Sequence, residues 1–121
     1  MITGSCHCGA VSIAVAEAPA IVTSCNCSIC RRLGTLWAYY RPAEVTVTHA
    51  PGALDSYSWD DHSIGFRRCA TCGCITHWED IRPQPTERMG VNVRMLDLDL
   101  DAVPVKFFDG ASYPTSMGSK T

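Results

Sequence analysis

Eight cysteines fall into three short clusters: Cys6-His7-Cys8-Gly9, Cys25-Asn26-Cys27-Ser28-Ile29-Cys30 and Cys69-Ala70-Thr71-Cys72-Gly73-Cys74. No other feature restricts the fold of this chain as strongly. Thiols this close together rarely pair with each other, but their spacing suits the edges of a metal tetrahedron. In an extended segment residues i and i+2 share a face, so Cys6 and Cys8 can aim two sulfurs at one point. Cys69-x-x-Cys72 is a turn-type half-site. Glycine follows each, as Gly9 and Gly73, and glycine permits the positive φ that lets a chain turn tightly around a metal. One zinc joining the two half-sites would close a loop of about sixty residues. All four positions would then be filled, as in a structural zinc site.

The middle cluster is different. Cys25 and Cys27 share a face, and Cys30 is within reach if residues 27–30 form a helical turn. Three ligands then come from six residues, with no fourth nearby in sequence. Three protein ligands and one open position are typical of catalytic zinc. The alternative is that Cys74 supplies the fourth thiolate and both sites are structural. His7, His49, His62 and His77 are further donors; His7 should point away from its flanking cysteines, and His77 beside Trp78 reads as a packing or hydrogen-bonding residue. Zinc held by three thiolates carries a net charge of −1. It suits a soft fourth ligand such as a substrate thiol, which coordination deprotonates at neutral pH.

Charge and length narrow the class. The net charge is −2, and the arginines that make up eight of the ten basic residues are scattered. No basic stripe of the kind nucleic-acid binding needs is present, so no nucleic-acid partner is expected. No apolar run approaches the ~20 residues of a membrane span, and no apolar leader precedes Cys6. The expectation is a cytoplasmic protein with reduced thiols and no membrane partner. Its 121 residues fit one domain, 1–121, with a small, polar tail over 112–121 that should fray.

The remaining segments read as short strands. Residues 10–16 alternate around Val11, Ile13 and Val15. Further strands are expected over 21–24, 35–41, 44–48, 54–59, 63–69, 74–79, 89–94 and 104–108, with a hairpin turn at Asp60-Asp61-His62. Residues 28–33 predict one helical turn. The segment 80–86 is a loop, because its two prolines exclude a central strand. The class is therefore all-β, built from short antiparallel strands with little helix. Exposed sheet edges in such a fold admit a homodimer.

Three stretches resemble the motifs of a known family. Gly4-Ser5-Cys6-His7-Cys8-Gly9-Ala10-Val11, Cys25-Asn26-Cys27-Ser28-Ile29-Cys30-Arg31-Arg32 and Cys69-Ala70-Thr71-Cys72-Gly73-Cys74 are similar to those of the glutathione-dependent formaldehyde-activating enzyme family, which also includes centromere protein V. The resemblance runs from about residue 4 to 110 and implies a zinc-bound β-tent with two zinc ions per chain. By that likeness Cys6, Cys8, Cys69 and Cys72 hold a structural zinc, and Cys25, Cys27 and Cys30 hold a catalytic one. Cys74 is left as a buried or supporting thiol. The implied activity is that of a carbon–sulfur lyase on a small-molecule thiol–aldehyde adduct such as S-hydroxymethylglutathione.

Polar and aromatic residues near the middle cluster are the substrate-binding candidates: Arg31 for a carboxylate, Trp37 and Tyr39 for the pocket wall, and Asn92 and Arg94 from one later strand. The alternative function is a non-catalytic zinc-binding module for a protein or small ligand. A third reading, a thiol-based redox sensor, would use Cys74 or an unmetallated middle cluster.

Overall fold

The computed structural model describes residues 1–112 of the 121 in the chain. The expected fraying tail therefore lies, from residue 113 on, outside the described residues. Strands β1 (Ile2–Ser5), β2 (Ser12–Val15) and β5 (Val45–Thr48) form a small sheet in the order β1-β2-β5. A second sheet contains β3 (Val22–Cys25), β4 (Trp37–Tyr40), β6 (Leu54–Tyr57), β7 (Ile64–Cys69), β8 (Ile75–Asp80), β9 (Met89–Asn92) and β10 (Val105–Phe108). Its seven strands run in the order β10-β3-β4-β9-β8-β7-β6. A short helix, α1 (Ser28–Leu33), follows β3, and brief 3-10 turns occupy Pro42–Glu44, Val93–Met95, Leu100–Ala102 and Gly110–Ser112. The all-β class is thus observed. No helix among the described residues is long and apolar enough to cross a membrane.

Alternation along the strands sets the packing. In β2, Ile13 and Val15 turn inward while Ser12 faces out. They meet Val22, Ala38, Tyr40, Met89 and Val91 of the larger sheet, closed off by Val93 and Leu96. All four residues of β9, in the middle of the seven strands, are buried. Two smaller cores flank this one, and both are built on cysteines. Cys25, Cys27 and Cys30 pack with Trp37 and Phe66, and Cys6 and Cys69 pack with Val11.

The structure departs from the sequence expectations in three places. Ile2–Ser5 is a strand that the pattern did not suggest, because Ile-Thr-Gly-Ser carries a single apolar residue; it pairs with β2, and Ile2 packs against the main core. β10 pairs with β3 in parallel rather than antiparallel. Arg94 does not continue β9 but lies in the 3-10 turn Val93–Met95, where the Asn92 side chain caps the Arg94 N–H.

Gly4 is where β1 touches the segment that follows β9. Its backbone bridges to Leu96, and the Asp97 N–H donates to the Thr3 carbonyl at 2.8 Å. A Cβ at this position would overlap the Met95 carbonyl and the Leu96 backbone, neither of which is a flexible side-chain end. Gly4→Ala is expected to cost about 2–3 kcal/mol, read as a lower urea midpoint at unchanged m-value. An unchanged midpoint would show that β1 and this segment part here without cost.

Candidate functional site

The first cluster closes on the third. Cys6, at the end of β1, accepts the Val11 N–H on its sulfur at 3.3 Å, and Gly9 turns the chain with φ +84°. Across the fold, Cys69 Sγ accepts the N–H groups of Thr71 and Cys72, both at 3.4 Å, and Gly73 turns with φ +80°. Both glycines therefore adopt the left-handed conformation that the two half-sites require. Backbone N–H groups of Cys74 and Cys8 hold the Cys72 thiol down to about 5, and that of Cys72 lowers Cys69. Cys8 goes the other way: the Ala10 N–H lowers it, but the Cys69, Cys6 and Cys72 thiols and burial outweigh this and push it up to about 11, so the protons are shared unevenly among these sulfurs.

The sulfurs of Cys6, Cys8, Cys69 and Cys72 all lie within 4.8 Å of one another. Cys6 to Cys8 is 3.7 Å and Cys8 to Cys69 is 3.6 Å. A zinc–sulfur bond of about 2.3 Å gives a tetrahedral edge of about 3.8 Å, so this donor set fits zinc.

Local geometry builds the second group. Cys25 ends β3, Cys27 caps α1 and Cys30 lies within the helix. Cys27 Sγ accepts the Cys30 N–H at 3.4 Å, as an N-cap side chain does. Cys25 Sγ accepts the Cys27 N–H at 3.5 Å. Trp37 Nε1 donates to Cys30 Sγ at 3.4 Å, which fixes that sulfur from β4. The three sulfurs lie within 4.8 Å of one another and are buried.

Their crowding separates their acidities. Hydrogen bonds from the Cys25 and Cys30 thiols, then from the backbone N–H groups of Cys30 and Ile29, hold Cys27 down to about 3. In return, Cys30 is pushed up by Cys25 and Cys27, and Cys25 is pushed up by Cys27. One proton leaves readily and the other two are retained until a cation balances the charge. A buried cluster of this kind fits a soft dication.

No fourth cysteine, histidine or carboxylate joins this group among the described residues. Cys74 instead packs beside Cys6, Cys69 and Cys72, next to the four-sulfur group. His7, His49 and His62 are exposed. His77 is buried and bonded to Thr76 Oγ1 at 2.8 Å; burial holds it down to about 4, so it is neutral at pH 7.

A cavity of about 100 Å³ opens onto the three sulfurs. Trp37, Tyr39, Phe66 and Trp78 form its aromatic wall, Ile29, Ile64 and Phe108 complete the apolar lining, and Arg88 supplies a charge. Gly90 is what lets this wall close. It pairs with Tyr39 on one side and Trp78 on the other, and the Trp78 indole lies where a Gly90 Cβ would stand. Trp78 thereby reaches within 6.2 Å of Tyr39, centroid to centroid.

The structure distributes the substrate-binding candidates unevenly. Trp37 and Tyr39 line the cavity. Arg31 and Arg94 line a separate, more open groove of about 390 Å³ on Cys25 and Cys30, and Arg94 Nε donates to the Gly34 carbonyl at 2.8 Å. Asn92 is buried; it donates to the Ile75 carbonyl at 2.8 Å and accepts the Leu36 N–H at 3.3 Å, tying β4 and β8 to β9. Sequence reasoning did not single out Ile64, Phe66, Trp78, Arg88 or Phe108. The only local sign of Arg88 was its position between the proline loop and the buried strand β9.

The chain was compared with known proteins. The model of the family described as glutathione-dependent formaldehyde-activating enzyme matches residues 1–108. A crystal structure of a Rhodobacter sphaeroides protein is similar at 33% sequence identity and a TM-score of 0.71, covering 86% of this chain and 99% of that one.

Proposed function

The chain belongs to the glutathione-dependent formaldehyde-activating enzyme family, and from that premise we propose that it is a zinc-dependent carbon–sulfur lyase acting on a thiol–aldehyde adduct such as S-hydroxymethylglutathione. The observation that carries this reading is the contrast between the two sulfur groups. One has four sulfurs, while the other has three and faces an apolar cavity. Cys6, Cys8, Cys69 and Cys72 would hold the structural zinc, and Cys25, Cys27 and Cys30 the catalytic one. When bound by these three thiolates, zinc supplies a soft site that favours the thiolate form of a substrate thiol at neutral pH.

The chain's own residues then have defined tasks. Cys25, Cys27 and Cys30 are held by the Cys27 N–H, the N-cap bond and the Trp37 indole, so all three donor sulfurs are oriented in advance. Trp37, Phe66 and Trp78 keep bulk water from the reacting carbon. In the synthetic direction the thiolate attacks the aldehyde carbon, a C–S bond forms, the C=O π pair moves to oxygen and that oxygen takes one proton. Tyr39 is a donor on the cavity wall; burial raises its hydroxyl above the ordinary value, so Tyr39 Oη is protonated at neutral pH. In the reverse direction the same oxygen returns its proton as the C–S bond breaks.

The reading is tested by two-dimensional exchange NMR on glutathione and formaldehyde with zinc-loaded protein. Exchange between free thiol and adduct is expected to rise at least about 100-fold over buffer. No acceleration in protein carrying two zinc ions per chain would favour a non-catalytic binding module.

A further inference from the structure

We infer that Arg88 anchors a carboxylate of the substrate, so that the three-sulfur cavity takes an acidic thiol in preference to a neutral one of equal size. The inference rests on the proposed thiol chemistry of that cavity and adds the residue that selects the thiol.

Arg88 is the only basic side chain among the cavity's lining residues. Of the eight arginines, it shares with Arg31 the lack of a carboxylate partner among the described residues, but Arg31 lines the other groove. Arg41, Arg67, Arg68 and Arg82 pair with carboxylates, and Arg32 and Arg94 donate to backbone carbonyls. Among the described residues, Arg88 has no carboxylate within ion-pair distance. It lies on the ring of Tyr39 instead, with the guanidinium carbon 4.1 Å from the centroid. Stacking holds the planar group while leaving its edge N–H donors free for a bidentate acceptor.

The segment before Arg88 is fastened as well. Asp80, at the end of β8, accepts Arg82 Nε at 2.9 Å, the Thr86 N–H at 2.9 Å and Thr86 Oγ1 at 2.8 Å. The proline loop is therefore closed by one carboxylate and delivers Arg88 to the cavity in a set position.

Size and charge then select the ligand. A cavity of about 100 Å³ is smaller than the ~150 Å³ that holds a benzene ring. It accepts a thiol carbon and an aldehyde carbon, but not the bulk of a tripeptide, so a carboxylate must lie at the mouth. Arg88 is exposed there. The lining offers one cation, Arg88, and no carboxylate, so an acid group at the mouth has Arg88 as its partner.

The test is a fluorescence titration of zinc-loaded protein, read on tryptophan emission, since Trp37 and Trp78 line the cavity. The probes are 3-mercaptopropionate and its neutral amide, 3-mercaptopropionamide. The parent should bind the acid at least about tenfold more tightly. R88Q should bring the ratio to one or below, while R31Q and R94Q keep it. If Arg88 merely packs on Tyr39, R88Q weakens both thiols alike and the ratio stays, which overturns the inference. A ratio of one in the parent, or its loss in R31Q or R94Q instead, overturns it too. An acid preference that follows Arg88 in a protein without adduct turnover would sink the lyase reading and leave the anchor standing; turnover without acid preference does the opposite.

Discussion

Cys27→Ser should remove one zinc and at least about 99% of adduct turnover while leaving the fold in place. The three consequences have different physical sources. Cys27 is the N-cap of α1, and its side chain accepts the Cys30 N–H. Serine is among the best N-cap residues, so the helix keeps its start and Cys30 keeps its position. A hydroxyl is a poor zinc donor at neutral pH, however, so only two thiolates remain in the cluster. Even outer-shell losses around a metal cost about 10–100-fold, and a lost ligand should exceed that. Metal analysis should fall from two zinc ions to one per chain, and the far-ultraviolet circular dichroism should match the parent. Retained turnover would sink the assignment of this cluster as catalytic.

Cys69→Ser should have the opposite profile, with the fold itself lost. Cys69 is buried in a core whose other buried members are Cys6 and Val11. That core joins the end of β1 to the β7–β8 turn, with Cys8 and Cys69 61 positions apart in sequence. Zinc in small structural sites contributes roughly 10–16 kcal/mol of apparent folding free energy, whereas a whole domain is stable by about 5–15 kcal/mol. So small a core has no apolar substitute for that bond. The variant should show collapsed amide dispersion in its NMR spectrum and no cooperative urea transition, and a strong chelator should bring the parent to the same state. A cooperative transition at the parent's midpoint would show that the four-sulfur group does not hold the fold.

The two outcomes differ although both substitutions remove one sulfur. The four-sulfur group links the end of β1 to the β7–β8 turn, two segments far apart in sequence. The three-sulfur group draws its ligands from residues 25–30 and lies against Trp37 and Phe66, which keep packing without metal.

Much of this was legible in the sequence because it is local. The i, i+2 and i, i+3 spacings of the cysteines, the left-handed glycines behind Cys8 and Cys72 and the helical turn over 28–33 depend on neighbouring dihedral angles, and the structure shows each of them. The alternating runs gave most strand positions for the same reason. β1 escaped notice because its pattern carries no apolar period, and the parallel pairing of β10 because strand direction is not written in any one strand.

The alternating runs by themselves determined that this chain is a small β protein, and the close-set cysteines that it is able to hold metal; which cysteines form each group was implied by the resemblance, and the structure brings them together. Only the tertiary structure decided what stands around the three-sulfur group. Its wall comes from β4, β7, β8, β10 and the residue before β9, and which alternate side chains share a face follows from long-range register. Tyr39 opposite Gly90, and Gly90 opposite Trp78, place an aromatic pair and then Arg88 over the sulfurs, while Arg31, the basic residue next to Cys30 in sequence, goes to another groove. Ligand spacing is a property of a few bonds; a binding cavity is a property of strands brought together from across the chain.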